Sequence, residues 1–96
     1  MEDNKAFKGD TFFANVETNK IKNGSHMFYY CKNLKLFSSD LSSLTDGYGM
    51  FYYTGLESFY SNLSSLTDGY GMFWYCGNLT TFSSDLSSLT NGANMF

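Results

Sequence analysis

Asp40-Leu41-Ser42-Ser43-Leu44-Thr45-Asp46-Gly47-Tyr48-Gly49-Met50-Phe51-Tyr52-Tyr53 is written again as Asn62-Leu63-Ser64-Ser65-Leu66-Thr67-Asp68-Gly69-Tyr70-Gly71-Met72-Phe73-Trp74-Tyr75. It returns a third time as Asp85-Leu86-Ser87-Ser88-Leu89-Thr90-Asn91-Gly92-Ala93-Asn94-Met95-Phe96. The Met-Phe pairs set the period, with Met27, Met50, Met72 and Met95 spaced 23, 22 and 23 residues apart. Most of the chain is therefore one unit copied in tandem, and its fold must let the copies bury one another.

A period of about 20–29 residues predicts a repeat solenoid of leucine-rich-repeat type, because one such unit cannot bury its apolar face alone. Short β-strands and helical turns in a single small domain are expected. Residues 27–96 read as three tandem repeats of 22–23 residues plus the start of a fourth. Residues 1–26 read as a divergent N-terminal coil and cap. There Asn23-Gly24 matches Asp46-Gly47 and Ile21 matches Leu44, but Thr18 stands where Leu41 is expected.

The apolar columns are Leu34/Leu56/Leu79, Phe37/Phe59/Phe82, Leu41/Leu63/Leu86 and Leu44/Leu66/Leu89. Stacking would turn each into a row along the core. Strands are predicted over Leu34–Ser39, Leu56–Ser61 and Leu79–Ser84, and a helical turn over each Met-Phe-x-Tyr, which is too short for a full helix. The middle copy is one residue shorter, at Thr54-Gly55, which marks that segment as a turn. The Asp/Asn-Gly pairs predict a tight corner at which Gly tolerates positive φ.

Composition narrows the function. A hydrophobic share of 43% and an aromatic share of 20% give each copy a large apolar payload. No apolar run approaches the roughly 20 residues that span a bilayer. The opening Met1-Glu2-Asp3-Asn4-Lys5 leads into no signal core, so a cytoplasmic location is expected, or a surface or secreted one if the chain is an excerpt of a longer protein. Residues 1–35 carry six lysines and four acids, and residues 36–96 carry Asp40, Asp46, Glu57, Asp68 and Asp85 with no base, a formal −5. With no Arg anywhere, direct nucleic-acid binding is not expected. Cys31 and Cys76 share one column two repeats apart, so roughly 10 Å should separate them if strands stack about 4.8 Å apart. That is beyond disulfide reach, and both read as buried thiols.

Catalytic and metal chemistry find little footing. His26 is the one histidine, and its column continues as Gly49, Gly71 and Asn94, so a solvent-facing turn residue is expected and not a base. The recurring Ser-Ser pairs lie outside any nucleophile elbow and read as corner residues that satisfy backbone groups. Each Asp46 or Asp68 turn offers one acid where calcium wants six to eight oxygens. Three Cys/His residues in all are too few for zinc. No cofactor, no metal and no enzymatic activity are expected.

Met-Phe-Tyr-Tyr-Cys-Lys-Asn-Leu (27–34) and Met-Phe-Trp-Tyr-Cys-Gly-Asn-Leu (72–79), each followed by an expected strand and then Ser-Asp-Leu-Ser-Ser-Leu-Thr, resemble the BspA-type leucine-rich repeats. They are similar as well to the mycoplasma surface repeats built on Met-Phe-x-x-Cys-x-x-Leu. The resemblance spans about residues 15–96 and implies a non-catalytic adhesion or recognition module of a bacterial or protist surface protein.

Two surfaces are candidates for partner binding. Tyr52 with Trp74 and Tyr29, and Tyr48 with Tyr70, form aromatic columns. They are either an outward stripe of hot-spot residues or a structural ladder. Asp46 with Asp68, and Asp40 with Asp85, form acidic rows that either meet a basic partner or keep a Tyr-rich domain soluble. The function expected first is a stand-alone inhibitor occupying a basic surface of a protein partner, by analogy in size and charge with small phage anti-defence proteins such as anti-CRISPRs. The alternative is the adhesion module. Met95-Phe96 opens a further coil, so self-association or partner docking through an uncapped C-terminal coil, residues 86–96, is expected in either case.

Overall fold

Repetition in sequence becomes repetition in space through hydrogen bonds between corresponding residues of neighbouring units. The structure, a computed structural model, describes residues 11–12 and 18–96; the greater part of the expected N-terminal cap lies outside them. Four two-residue strands, β1 (Thr11–Phe12), β2 (Leu36–Phe37), β3 (Ser58–Phe59) and β4 (Thr81–Phe82), form one parallel sheet in chain order. Phe12, Phe37, Phe59 and Phe82 are in register across it. A second parallel line of bridges joins Asn23, Asp46, Asp68 and Asn91. Thr45, Thr67 and Thr90 fasten it, each hydroxyl donating to a carbonyl of the preceding unit at 3.1 Å.

The strands are shorter than the six-residue segments expected. The N–H of Leu34 closes a turn onto Cys31 and that of Leu79 onto Cys76, while Asp40 and Asp85 cap the turns that follow. Two residues remain for the sheet.

The expected helical turns are also replaced. Over residues 24–34, alternate N–H groups point in different directions. Those of Met27, Tyr29 and Cys31 donate three residues back, and those of His26, Phe28 and Tyr30 donate to Tyr48, Met50 and Tyr52 of the next unit. Helix is prevented by left-handed residues at two positions of each unit: His26, Gly49, Gly71 and Asn94 (φ 52 to 61°), and Tyr30, Tyr53 and Tyr75 (φ 59 to 61°). The result is a string of β-turns. Among the described residues the one helical element is a 3-10 turn, Thr18–Lys20.

Positive φ thus falls two residues after the Asp-Gly pairs and not on their glycines. Gly47 is there for space: a Cβ on it would lie 2.9 Å from the sulfur of Met72 in the next unit.

The core is a double aromatic ladder. Phe28, Phe51, Phe73 and Phe96 stack nearly parallel at 5.4–5.5 Å, and Phe37, Phe59 and Phe82 do so at 5.6–5.8 Å; Phe82 is half-buried and Phe96 is exposed. The two ladders meet edge to face, the geometry the ring quadrupole favours. Leu34, Leu41, Leu44, Leu56, Leu63 and Leu66 close around them with no exposure, while Leu79, Leu86 and Leu89 of the last unit are half-buried. Cys31 and Cys76 are buried and not joined in a disulfide.

Candidate functional site

Copies of the β-turn string carry up to three aromatic side chains outward, and three rows result. Tyr29, Tyr52 and Trp74 are half-buried, and Tyr30, Tyr53 and Tyr75 are exposed. Tyr48 and Tyr70 stack at 5.1 Å and 14°. The second row was not singled out from sequence, although Tyr recurs there in every copy. Its backbone is left-handed, a region that favours Gly and Asn, yet Tyr is kept each time.

The first and third rows face one another across a cleft of about 190 Å³ lined by His26, Tyr29, Tyr48, Gly49, Tyr52, Tyr70, Gly71 and Trp74. Its floor is the left-handed column. A Cβ on Gly71 would find nothing closer than Trp74, at 3.8 Å, so the missing side chain is open space. Above Gly49 that space is taken by His26, whose ring would lie 2.9 Å from such a Cβ. His26 is therefore half-buried, contrary to the expected solvent-facing turn. It packs edge-on against Tyr29 and Tyr48 at 5.3 Å, and its Nδ1 shares a 3.2 Å hydrogen bond with Ser25. It closes one end of the cleft. The signal for it was available: His, Gly, Gly and Asn in one column are residue types that accept positive φ.

On the Trp74 side the rings of Tyr52 and Trp74 stand at 85°, 5.8 Å apart, and Trp74 stacks on Tyr75 at 5.2 Å. Tyr52 is held above the ordinary phenol range, by desolvation first and then by the neighbouring phenols of Tyr30, Tyr75 and Tyr53. Lys32 reaches over the exposed row, with its Nζ 5.3 Å from the Tyr53 ring centre and 6.0 Å from that of Tyr30. These ring faces already hold a cation.

The two acidic rows have structural work. Oδ1 of Asp46 accepts from the N–H of Tyr48, and that of Asp68 from Tyr70, both at 3.0 Å. Asn23 and Asn91 do the same for Ser25 and Ala93. Asp40, Asn62 and Asp85 likewise cap Ser42, Ser64 and Ser87. Asp and Asn interchange because the corner needs an oxygen acceptor, with or without charge. These caps, and not the serine hydroxyls, satisfy the backbone at the Ser-Ser corners. Asp46 and Asp68 therefore sit two residues from the tyrosines that line the cleft, while Asp40 and Asp85 cap a different turn and are no part of its lining. Among the described residues no three His, Cys, Asp or Glu side chains gather as a metal site, and no helix is long and apolar enough to cross a membrane.

Thr54 and Cys76, from one column, meet in the core at 3.2 Å, and the Cys76 thiol donates to the carbonyl of Phe51 at 2.9 Å. Burial pushes the Cys76 thiol up, against the hydrogen bonds from Thr54. A thiol held protonated in this way is a poor nucleophile. Comparison with known proteins returns no matching family model, no matching curated protein and no matching solved structure.

Proposed function

We propose that the chain is a short solenoid of leucine-rich-repeat type and a non-catalytic protein-binding module, acting in the cytoplasm as an inhibitor that occupies a basic surface of a protein partner. The observation that carries this reading is the cleft. Tyr48, Tyr52, Tyr70 and Trp74, from two separate columns, line it together, on the part of the chain that holds five acids and no base. Aromatic side chains fixed on a rigid backbone lose little entropy on binding and are typical anchors of protein interfaces. The carboxylates of Asp46 and Asp68, fixed two residues from Tyr48 and Tyr70, favour a positively charged partner. The in-register parallel ladders support the solenoid reading, and two buried thiols left unjoined suit a reducing compartment.

The test is affinity capture from the native host with the intact chain and with a Tyr52→Ala/Trp74→Ala variant, followed by Kd measurement on the retained protein. The reading expects a partner with a basic surface, at least 30-fold weaker binding by the variant, and weakening of the native complex as salt rises. A partner whose affinity ignores both the substitutions and the salt overturns it.

A further inference from the structure

We infer that the cleft is a receptacle for one ammonium head group, the end of a lysine side chain presented by the partner, plain or methylated. The inference rests on the protein-binding reading and names what enters the site.

Size is the first argument. Sites for drug-sized ligands run to about 300–1,000 Å³, whereas this cleft of about 190 Å³ suits the end of one side chain. Shape is the second. Tyr52 and Trp74 stand at right angles, His26 packs edge-on against Tyr29 and Tyr48, and the floor at Gly71 is bare. Tyr48 and Tyr70, nearly parallel, make one wall, and Tyr52 and Trp74 turn a corner opposite it, so the rings enclose a box with an open floor and not a single flat platform on which a planar ring would stack. Electrostatics is the third. The lining contains no Lys, Arg, Asp or Glu, so a cation would meet ring quadrupoles directly. The carboxylates of Asp46 and Asp68, fixed by the N–H groups of Tyr48 and Tyr70, add a negative field without competing for the space. Lys32 over Tyr53 and Tyr30 is the same pairing already made within the chain, on the neighbouring row.

Trp74 is the single tryptophan and lines the cleft, so its emission reports occupancy. The intact chain is titrated with Nα-acetyl-trimethyllysine methylamide, with the unmethylated form, and with the neutral carbon isostere that carries a tert-butyl end. Saturable change is expected with the trimethylammonium probe at least tenfold tighter than with the isostere, and Tyr52→Leu should remove most of that tenfold preference. Equal binding of cation and isostere would mean a plain apolar cleft and overturn the inference, as would no saturable change at all. Phosphocholine vesicles binding more tightly than the lysine probes would assign the box to a lipid head group and overturn it too. The comparison on the intact chain stands even if Tyr52→Leu does not fold. Groove-dependent capture of a partner together with failure of every lysine probe sinks this inference alone. Lysine binding together with a partner indifferent to the groove sinks the functional reading alone.

Discussion

The two sides of each unit use the same kind of side chain for opposite ends. On the core side Phe51 lies between Phe28 and Phe73, each 5.4 Å away and nearly parallel, with no exposure to water. On the turn side Tyr75 stacks on Trp74 and is 57% exposed. The core columns repeat one residue without change, Phe28/Phe51/Phe73/Phe96 and Phe37/Phe59/Phe82. The cleft columns vary: His26/Gly49/Gly71/Asn94, Tyr29/Tyr52/Trp74 and Ser25/Tyr48/Tyr70/Ala93. In the core, invariance goes with rings clamped between identical neighbours, as at Phe51 and Phe59. On the outer side the exposed row Tyr30/Tyr53/Tyr75 is invariant as well, and variation among the outer aromatic rows is confined to those that build the cleft.

The contrast is broken most directly by truncating one ring on each side. Phe51→Ala should cost about 3–5 kcal/mol, the range for buried aromatics, since it removes an inner rung of the ladder. Tyr75→Ala should cost about 1 kcal/mol, because the phenol is largely hydrated and its ring contacts with Trp74, Tyr52 and Tyr53 lie at the surface. Urea melts of both variants decide it. Equal losses would mean that the outer aromatics are a second core and not a surface.

A smaller effect is expected where the shortened turn of the middle copy meets its neighbour. A Cβ on Gly55 would lie 2.2 Å from the carbonyl oxygen of Lys32, a backbone atom that cannot swing aside. Gly55→Ala should therefore cost about 1–3 kcal/mol, the range of an overpacked site. At Gly77, in the same turn of the next copy, a Cβ meets nothing within 4 Å, and Gly77→Ala should be near neutral by the same melt. A neutral Gly55→Ala would show that the copies are not pressed together at that turn.

How much of this was legible in the sequence follows from what each column answers to. The period, the Leu and Phe columns and the corner at Asp46-Gly47 were legible, because packing between copies leaves a mark at every turn of the repeat. The string of β-turns was not. Met-Phe-x-Tyr contains no Gly or Pro to signal a break, and the left-handed residues that exclude helix there, His26 and Tyr30 in the first copy, go with donation of alternate N–H groups to the next copy, a contact about 22 residues away. The place of positive φ was missed for a related reason. Gly47 drew attention as a turn glycine, whereas its role is room for Met72, and the left-handed residue is the less conspicuous Gly49 or His26. Of the candidate binding residues, the joining of Tyr48 and Tyr70 with Tyr52 and Trp74 in one cleft needed the fold, since nothing in spacing alone shows which outer columns face each other. The row of Tyr30, Tyr53 and Tyr75 repeats as plainly as the others, but a repeated Tyr reads equally as core or surface.

The acidic rows sharpen the comparison between structural and binding roles with a still smaller effect on the fold. Exchanging Asp46 and Asp68 for Asn keeps the oxygen that accepts from Tyr48 and Tyr70, as Asn23 and Asn91 do. Exchange for Ala or Lys removes it. Asp46→Asn/Asp68→Asn should therefore leave stability within about 0.5 kcal/mol of the native chain, while Asp46→Lys/Asp68→Lys should lose about 0.5–1.5 kcal/mol for each bond. The Asn pair is the clean charge probe. If it weakens partner binding while melting unchanged, the carboxylates steer; if binding is also unchanged, they serve as caps alone.

The smallest effect expected is a dependence on pH that one cap imposes. Hydrogen bonds from Ser87, its hydroxyl first and its backbone N–H second, hold the Asp85 carboxyl below the ordinary carboxylate range. A group whose folded pKa is depressed contributes stability that is fully present above its unfolded pKa, about 3.9 for Asp. That contribution is lost as pH falls through the lower folded value, because the unfolded chain then binds the proton more readily. Asp85→Asn keeps an acceptor for the Ser87 N–H but cannot titrate. Thermal melts at closely spaced pH values between 2 and 6 should therefore show the native chain losing slightly more stability than the Asn variant below about pH 4, with parallel curves above it. Asp85 is exposed and lies on the last unit, away from the cleft lining, so partner binding by the variant should match the native chain above that pH. A cap whose removal of charge moved the binding and not the acid limb of the melt would belong to the interface, and the separation drawn here between corner carboxylates and cleft aromatics would have to be given up.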